Sequence, residues 1–404
     1  MGTRIYISVE GAVYFNSRRW GEDDDILQLF SRALLGVTID STFDAVYSHV
    51  AREWHQQDDI INPFHDSRHD LIRTVWIFNL DNDVLRLENK DCYRQLPLAI
   101  VRSRAVTITD LHLCAPPRPP ELGSQSFIPP PDVKLLTLRR EGLDPTRMER
   151  RRAFVSRILA DFAFQWRHML CSRYRDSTFR KFAAAIIQIA TLDFNVVELT
   201  EPRYASHGFL VFLHNLPEWD PFKEPIIPIA GTSTSIVISR HIPHAIAMIQ
   251  SHFADAAIYR ISRMAEGLSN EYRSYLILTV KEVFLYRIKS RSQVYTNPEP
   301  LFNGQDPPSE GAVQLLLEAI YGNFSKTRIH QLPIELQDLI LDNVSEGPIE
   351  RARVGCILEC GSVFTWRCKN RNIEREIANR NRHEDTPVES QIWFGDHSGG
   401  VAYK

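Results

Sequence analysis

Two stretches of this chain carry side chains able to ligate a metal or move a proton. Cys356, Cys360 and Cys368 with His383 are ligands of the kind zinc accepts. Their separations of 4, 8 and 15 residues, however, are not the paired short knuckles that close a zinc site. Cys356 and Cys360 stand one helical turn apart, the spacing of two residues lining a core. The two imidazoles of His65-Asp66-Ser67-Arg68-His69-Asp70 could chelate, or could supply a general base. No third ligand or nucleophile lies nearby, so the stretch reads as a charged loop. His241 and His244 flank Pro243 at an expected helix start and read as cap residues. There is no P-loop, no GxGxxG after a strand, no GxSxG elbow, no HExxH and no kinase signature. These residue types call for no cofactor and no metal, and any catalytic groups would have to converge in space alone.

The next chemistry is electrostatic. Net charge over the 404 residues is −3, from 47 Lys and Arg against 50 Asp and Glu, but it is unevenly spread. Residues 134–181 carry 13 basic against 5 acidic side chains, while residues 1–115 carry 12 against 17. Arg139, Arg140, Arg147, Arg150, Arg151 and Arg152 could contact phosphates, with Phe154 or Trp166 to stack on bases. No zinc finger, RNA-recognition or basic-zipper pattern accompanies them, and Trp166 falls on a core-facing stripe. The alternative is a solvated or domain-docking basic face.

The elements that must position these groups read as an α+β chain. Arg4–Val9 and Ala12–Phe15 flank Glu10-Gly11 as a hairpin. Asp23, Asp24 and Asp25 open a helix through Leu35, and Ser41 or Thr42 caps a second running to about Trp54. Val75–Leu80, Val84–Leu87 and Val106–Leu113 complete a small N-terminal α+β domain over 1–113. Residues 114–133 are rich in proline and read as an extended linker; PPRPP within it could dock an aromatic-lined groove, but linkers of this kind are far more often only spacers. A mixed domain follows over 134–290. Its clearest helix, Glu149 to Ser172, repeats Val155, Ile158, Leu159, Phe162, Trp166, Met169 and Leu170 at spacings of three and four. Residues 291–311 read as a second linker, 312–385 as a helical module, and 386–404 as a tail of turn composition. No run reaches the length of a membrane span, and no signal peptide opens the chain, because Arg4, Glu10, Arg18 and Arg19 interrupt any apolar run. With six scattered cysteines, the expectation is a soluble protein of the cytoplasm and/or nucleus.

Within the helical module, Pro333 sits where a first-turn proline belongs, and Leu336, Leu339, Ile340 and Val344 form one apolar face. Ser345 to Pro348 break that helix and Ile349 to Leu358 starts another. Two such short helices cannot bury their apolar faces alone, so they need a host domain or a partner. The segment 332–358 resembles an F-box, the helical motif that docks substrate receptors onto the adaptor of cullin-type ubiquitin ligases. The resemblance is carried by Leu332, Pro333, Glu335, Leu336, Ile340, Leu341, Val344, Ile349, Arg353, Val354 and Cys356. Glu359 stands where the family usually has a Trp, and Gly355 where a β-branched residue is usual. The resemblance implies that Leu332, Pro333, Leu336, Ile340, Leu341 and Val344 contact the adaptor, while the domains before them select a target. Elsewhere ADFAFQWRHML, TFRKFAAAIIQIATLDF, GFLVFLHNLPEWD and VESQIWFGDHSGG resemble a group of uncharacterised proteins of filamentous fungi, which implies no chemistry. The opening Met-Gly-Thr-Arg with VWIFNLDNDVLRLE is similar to a small uncharacterised domain.

The sequence thus reads as a non-enzymatic interaction protein, an F-box-type receptor being the leading form. The alternatives are a nucleic-acid-associated protein using the basic helix 139–175, and an enzyme whose site the sequence conceals.

Overall fold

Glu10 and Gly11 both take positive φ, 45° and 85°, the turn that folds two strands back without splaying them. Around it β1 (Gly2–Val9) and β2 (Ala12–Arg18) pair antiparallel. The computed structural model describes residues 2–18, 22–49, 54–57, 59–60, 72–89, 92–115, 134–135, 145–170, 174–200, 209–214, 224–229, 232, 234–262, 272–289, 292–304, 306–320, 327–365, 367–368, 371–372, 390–394 and 397–403. The fold is α+β, in two units: Met1–Leu122 with Cys171–Thr178 and Asn379–Asn381, and the rest of the chain.

In the first unit β3 (His55–Gln57), β4 (Ile72–Asn79), β5 (Val84–Glu88), β6 (Tyr93–Pro97) and β7 (His112–Leu113) extend the hairpin. The sheet runs β3-β2-β1-β4-β5-β6-β7. Only β1 and β4 pair in parallel; the other neighbours are antiparallel. Strand periodicity of two sorts the side chains. Ile5, Ile7, Trp76 and Phe78 pack under α1 (Asp23–Leu34), α2 (Thr42–Ser48) and α3 (Leu98–Ser103), while Tyr6, Val13, Val75 and Ile77 form a cluster on the opposite face. Glu22 and Asp25 make a reciprocal capping box at the start of α1, one residue before the expected aspartates. The second helix stops at Ser48, short of Trp54. The expected strand over 106–113 is mostly a single 3-10 turn at Ile108–Asp110, leaving a two-residue strand.

In the second unit the larger sheet contains β8 (Lys134–Leu135), β11 (Ile226–Pro228), β12 (Thr234–Ile238), β13 (Arg273–Leu278), β14 (Glu282–Lys289), β15 (Ser292–Tyr295) and β16 (Glu299–Pro300). Its order is β11-β12-β13-β14-β15-β8, with β16 also beside β14. A smaller sheet, β20-β19-β10-β9, joins β9 (Asn195–Thr200) and β10 (Phe209–His214) to β19 (Ser390–Phe394) and β20 (His397–Tyr403). A two-residue pair, β17 (Arg367–Cys368) with β18 (Arg371–Asn372), stands apart. The helices are α4 (Pro145–Gln165), α5 (Arg167–Leu170), α6 (Asp176–Thr191, in this unit from Phe179), α7 (Ile242–Ser262), α8 (Glu310–Ile320), α9 (Ile334–Val344) and α10 (Pro348–Leu358). Ile242, Ala245, Ile246 and Ile249 of α7 pack on Tyr275, Ile277, Phe284 and Tyr286 of the larger sheet. α8 packs on β13, β14 and α4; α4 packs on α10; and α10 rests on α9 and β9.

Three expected boundaries differ. The segment 291–311 is not a linker: it supplies β15 and β16, and its Phe302, fully buried, stacks with Phe162 of α4 at 6.0 Å. The tail is not turn-like, because β19 pairs in parallel with β10. The described helices after 312 belong to the same unit as 134–170 and 179–290. The proline-rich stretch from 116 to 133 lies outside the described residues.

Candidate functional site

The hairpin α9–α10 is built on polar anchors. Pro333 is the residue before α9, with φ −52° and ψ 149°, one position ahead of the first-turn place expected for it. Gln337, on the inner side of α9, donates from Nε2 to the Leu332 carbonyl at 2.8 Å and accepts from the Gly361 amide at 2.8 Å. Both ends of a buried amide are thereby satisfied, which removes most of the cost of burying it. Leu341, one turn on, is 2% exposed. Opposite it lies Gly355 of α10, where a Cβ would stand 3.3 Å from Leu341 Cδ1 and 3.1 Å from the Cys360 carbonyl. That approach suits glycine: a branched side chain there would push the two helices apart.

α10 starts with Gly347 and with Pro348 at its first position. Glu198, on β9, reaches across so that its Oε1 accepts the Ile349 and Glu350 amides, each at 2.8 Å. A side chain at position 347 would collide with that carboxyl group. Burial pushes the Glu198 carboxyl up to about 7, outweighing the two amides that favour its ionised form; Glu350 and Glu346 push it the same way as burial. Arg353 closes the arrangement, pairing with Glu350 at 2.7 Å and donating to the Leu192 carbonyl at 3.0 Å.

The basic helix supplies the other anchor. Arg150 and Arg151 are both 7% exposed and point into the unit. Arg151 Nε donates to the Cys356 carbonyl at 2.9 Å, its Nη2 pairs with Glu359 at 3.1 Å, and Arg150 donates to the Gly361 carbonyl. These guanidinium groups meet carbonyls at and beyond the end of α10, where a helix presents unsatisfied acceptors and favours positive charge. Glu359 is the left-handed cap of α10 with φ 54° and is the carboxylate that Arg151 pairs with. Cys356 is fully buried and its thiol is pushed up to about 12 by that burial, the character of a packed side chain rather than a nucleophile.

With its inner side fixed in this way, α9 turns its apolar stripe outward. Leu336 is 46% exposed, Leu339 57%, Ile340 37% and Val344 60%. At 100° per residue these four share one arc, next to the arc of Gln337 and Leu341. Leu332, Pro333, Ile334, Ile357 and Leu358 are exposed as well, and His330 Nε2 lies 3.0 Å from the Leu358 carbonyl, bringing the approach to α9 against the end of α10. Arg351 bridges Asp338 at 2.8 Å and Asp342 at 2.9 Å, locking α9 to α10 on the side away from the stripe. Scattered exposed leucines are ordinary, but a contiguous apolar face on paired helices marks an interaction site.

Of the six residues expected to meet a partner, five are on this face. Leu341 is the correction: it is core, because its stretch of helix faces Gly355. Sequence reasoning does not single out Ile334, Ile357 or Leu358; Leu339 it places on the apolar face without assigning it a contact. Glu198 carries no local signal, since its partners lie about 150 residues away. Among the expected phosphate contacts, Arg139 and Arg140 lie outside the described residues, as does the side chain of Arg147. Arg152 is exposed, whereas Arg150 and Arg151 are the inward anchors described above. Phe154 and Trp166, 1% and 6% exposed, are core and present no face for a base. His241 precedes α7, its amide held by Ser239 Oγ at 3.3 Å and its carbonyl accepting the Ala245 amide at 3.0 Å. His65 to Asp70, His383 and the Cys368 side chain lie outside the described residues. Among the described residues no group of three or more His, Cys, Asp or Glu could hold a metal ion, and no helix is long and apolar enough to cross a membrane. The chain matches no protein-family model, no curated protein and no solved structure.

Proposed function

We propose that this chain is a protein-interaction component that docks through the outer face of α9–α10, and that its partner is the adaptor subunit of a cullin-type ubiquitin ligase. One observation carries the reading. An amphipathic helix ordinarily turns its apolar side inward, yet here Gln337 faces in while Leu336, Leu339, Ile340 and Val344 face out. A partner that covers those four removes apolar area from water at no cost to the fold beneath. The F-box resemblance of 332–358 names the partner, and both departures from that pattern have local physical reasons, at Gly355 and Glu359. The remaining domains would then select a target protein. Phosphate binding by the basic helix is disfavoured, because Arg150 and Arg151 already hold carbonyls and a carboxylate inside the unit.

The test is a Leu336→Ala/Ile340→Ala variant of the full chain. Truncating such anchors costs about 2 kcal/mol or more of binding, roughly thirty-fold in affinity. The variant should keep the wild-type circular dichroism spectrum and fail to capture purified adaptor. Loss of the fold, or a wild-type chain that captures no adaptor, would end the reading.

A further inference from the structure

The start of α10 is held by a group from outside the helix. Its N-cap, Gly347, has no side chain to offer, and Pro348 has no amide hydrogen, so the Ile349 and Glu350 amides are the first donors in need of a partner. Both go to a single oxygen, Oε1 of Glu198 on β9, at 2.8 Å each. The other oxygen, Oε2, is buried and has no hydrogen-bond partner. Among the described residues the charged groups that bear on this carboxyl are Glu350 from α10 and Glu346 from the turn before it, both acids. The two arginines of α10 are committed elsewhere, Arg353 to Glu350 and Arg351 to Asp338 and Asp342. On the neighbouring strand β10, the position in register with Glu198 is the apolar Val211. The group is also closely packed, since a Cβ at 347 would collide with it.

The two oxygens make opposite demands. Oε1, facing the first amides of a helix, is best served by negative charge. Oε2, out of water and with two acids nearby, is best served by a proton. The second demand prevails, because burial is the largest influence and pushes the carboxyl up to about 7. We propose that Glu198 is a proton-operated latch beneath the docking hairpin: protonated, it holds the first turn of α10 on β9, and ionised, it lets that turn open so that the carboxylate reaches water. The latch itself rests on these contacts; only its bearing on a partner rests on the docking reading. A carboxyl raised in the folded state holds fully at low pH and weakens as pH climbs through 7. Between pH 6 and pH 8 the open fraction of that turn should grow about tenfold, as a carboxyl raised from its ordinary range to about 7 requires. The turn follows Val344, the last residue of the exposed apolar stripe, so release loosens the seat of the docking face at that end.

The test is hydrogen exchange of the full chain at pH 6 and pH 8, each rate divided by its intrinsic value. Wild type should lose about tenfold protection at 349–350 between the two, while β13 keeps its own. Glu198→Gln, which still accepts both amides and cannot ionise, should protect them equally at both pH values. Gly347→Ala places a methyl against the carboxyl on an extended backbone that any residue adopts, and it should show the low protection already at pH 6. The two variants act in opposite directions, so either one decides if the other fails to fold. Equal protection at both pH values in wild type, a pH effect that survives Glu198→Gln, or an equal loss across β13 would overturn the latch. No partner is added, so the exchange result stands by itself, and a chain that captures no ligase adaptor ends the docking reading alone.

Discussion

Replacing Arg151 by methionine separates a structural basic helix from a phosphate-binding one. Met keeps most of the apolar stem and deletes the guanidinium that donates to the Cys356 carbonyl at 2.9 Å and pairs with Glu359 at 3.1 Å. Both side chains of that pair are only 9% exposed, so the change leaves a carboxylate buried without its cation. Breaking a buried pair from one side costs about 3–5 kcal/mol. For a unit of this size that corresponds to a fall of roughly 10 °C in Tm. Adding Glu359→Gln removes the stranded charge, so the double variant should recover part of the loss. A coupling of about 1–3 kcal/mol should emerge from the cycle. Urea denaturation of the four proteins, followed by tryptophan fluorescence, measures it. An Arg151→Met protein that unfolds at the wild-type urea midpoint but loses affinity for single-stranded RNA or DNA would refute the reasoning and restore the phosphate reading.

Other outcomes follow from the same contacts. Gly355→Val should cost about 1–3 kcal/mol by overpacking against Leu341 and the Cys360 carbonyl, seen as a lower urea midpoint. Trp166→Ala and Phe162→Ala should each cost about 3–5 kcal/mol as large-to-small changes in a core. Glu198 binds its proton more tightly folded than unfolded, so stability should rise as pH falls from 8 through 7 towards 5, by on the order of 2 kcal/mol. Glu198→Gln, which can still accept the two amides, should flatten that slope; an unchanged pH profile would contradict it. Limited proteolysis should spare 292–304, which is built into the larger sheet.

Local patterning made much of this fold legible. The Glu10-Gly11 hairpin, the acidic start of α1 and the long stripe of α4 each declare themselves within one turn or one helix. What the sequence conceals is pairing at a distance. β15 and β16 are four and two residues long, too short for periodicity to register, and they exist because β14 offers them an edge. β19 pairs in parallel with a strand nearly half the chain away, and no turn chemistry announces such a partner. The apolar face of α9 divides in the same manner. That α9 is amphipathic can be read directly, but Leu336 and Leu341 look alike in sequence. Which of them faces inward is decided by Arg150, Arg151 and Glu198, which fix α10 on its bed and leave Gly355 opposite Leu341.

Hydrogen exchange of the full chain, with and without purified ligase adaptor, tests the docking face most directly. Bound adaptor should slow exchange across 332–344 and at 357–358, and leave 349–356 unchanged, since that stretch is already packed on α4 and β9. Protection elsewhere with none on α9, or no protection at saturating adaptor, would contradict the account.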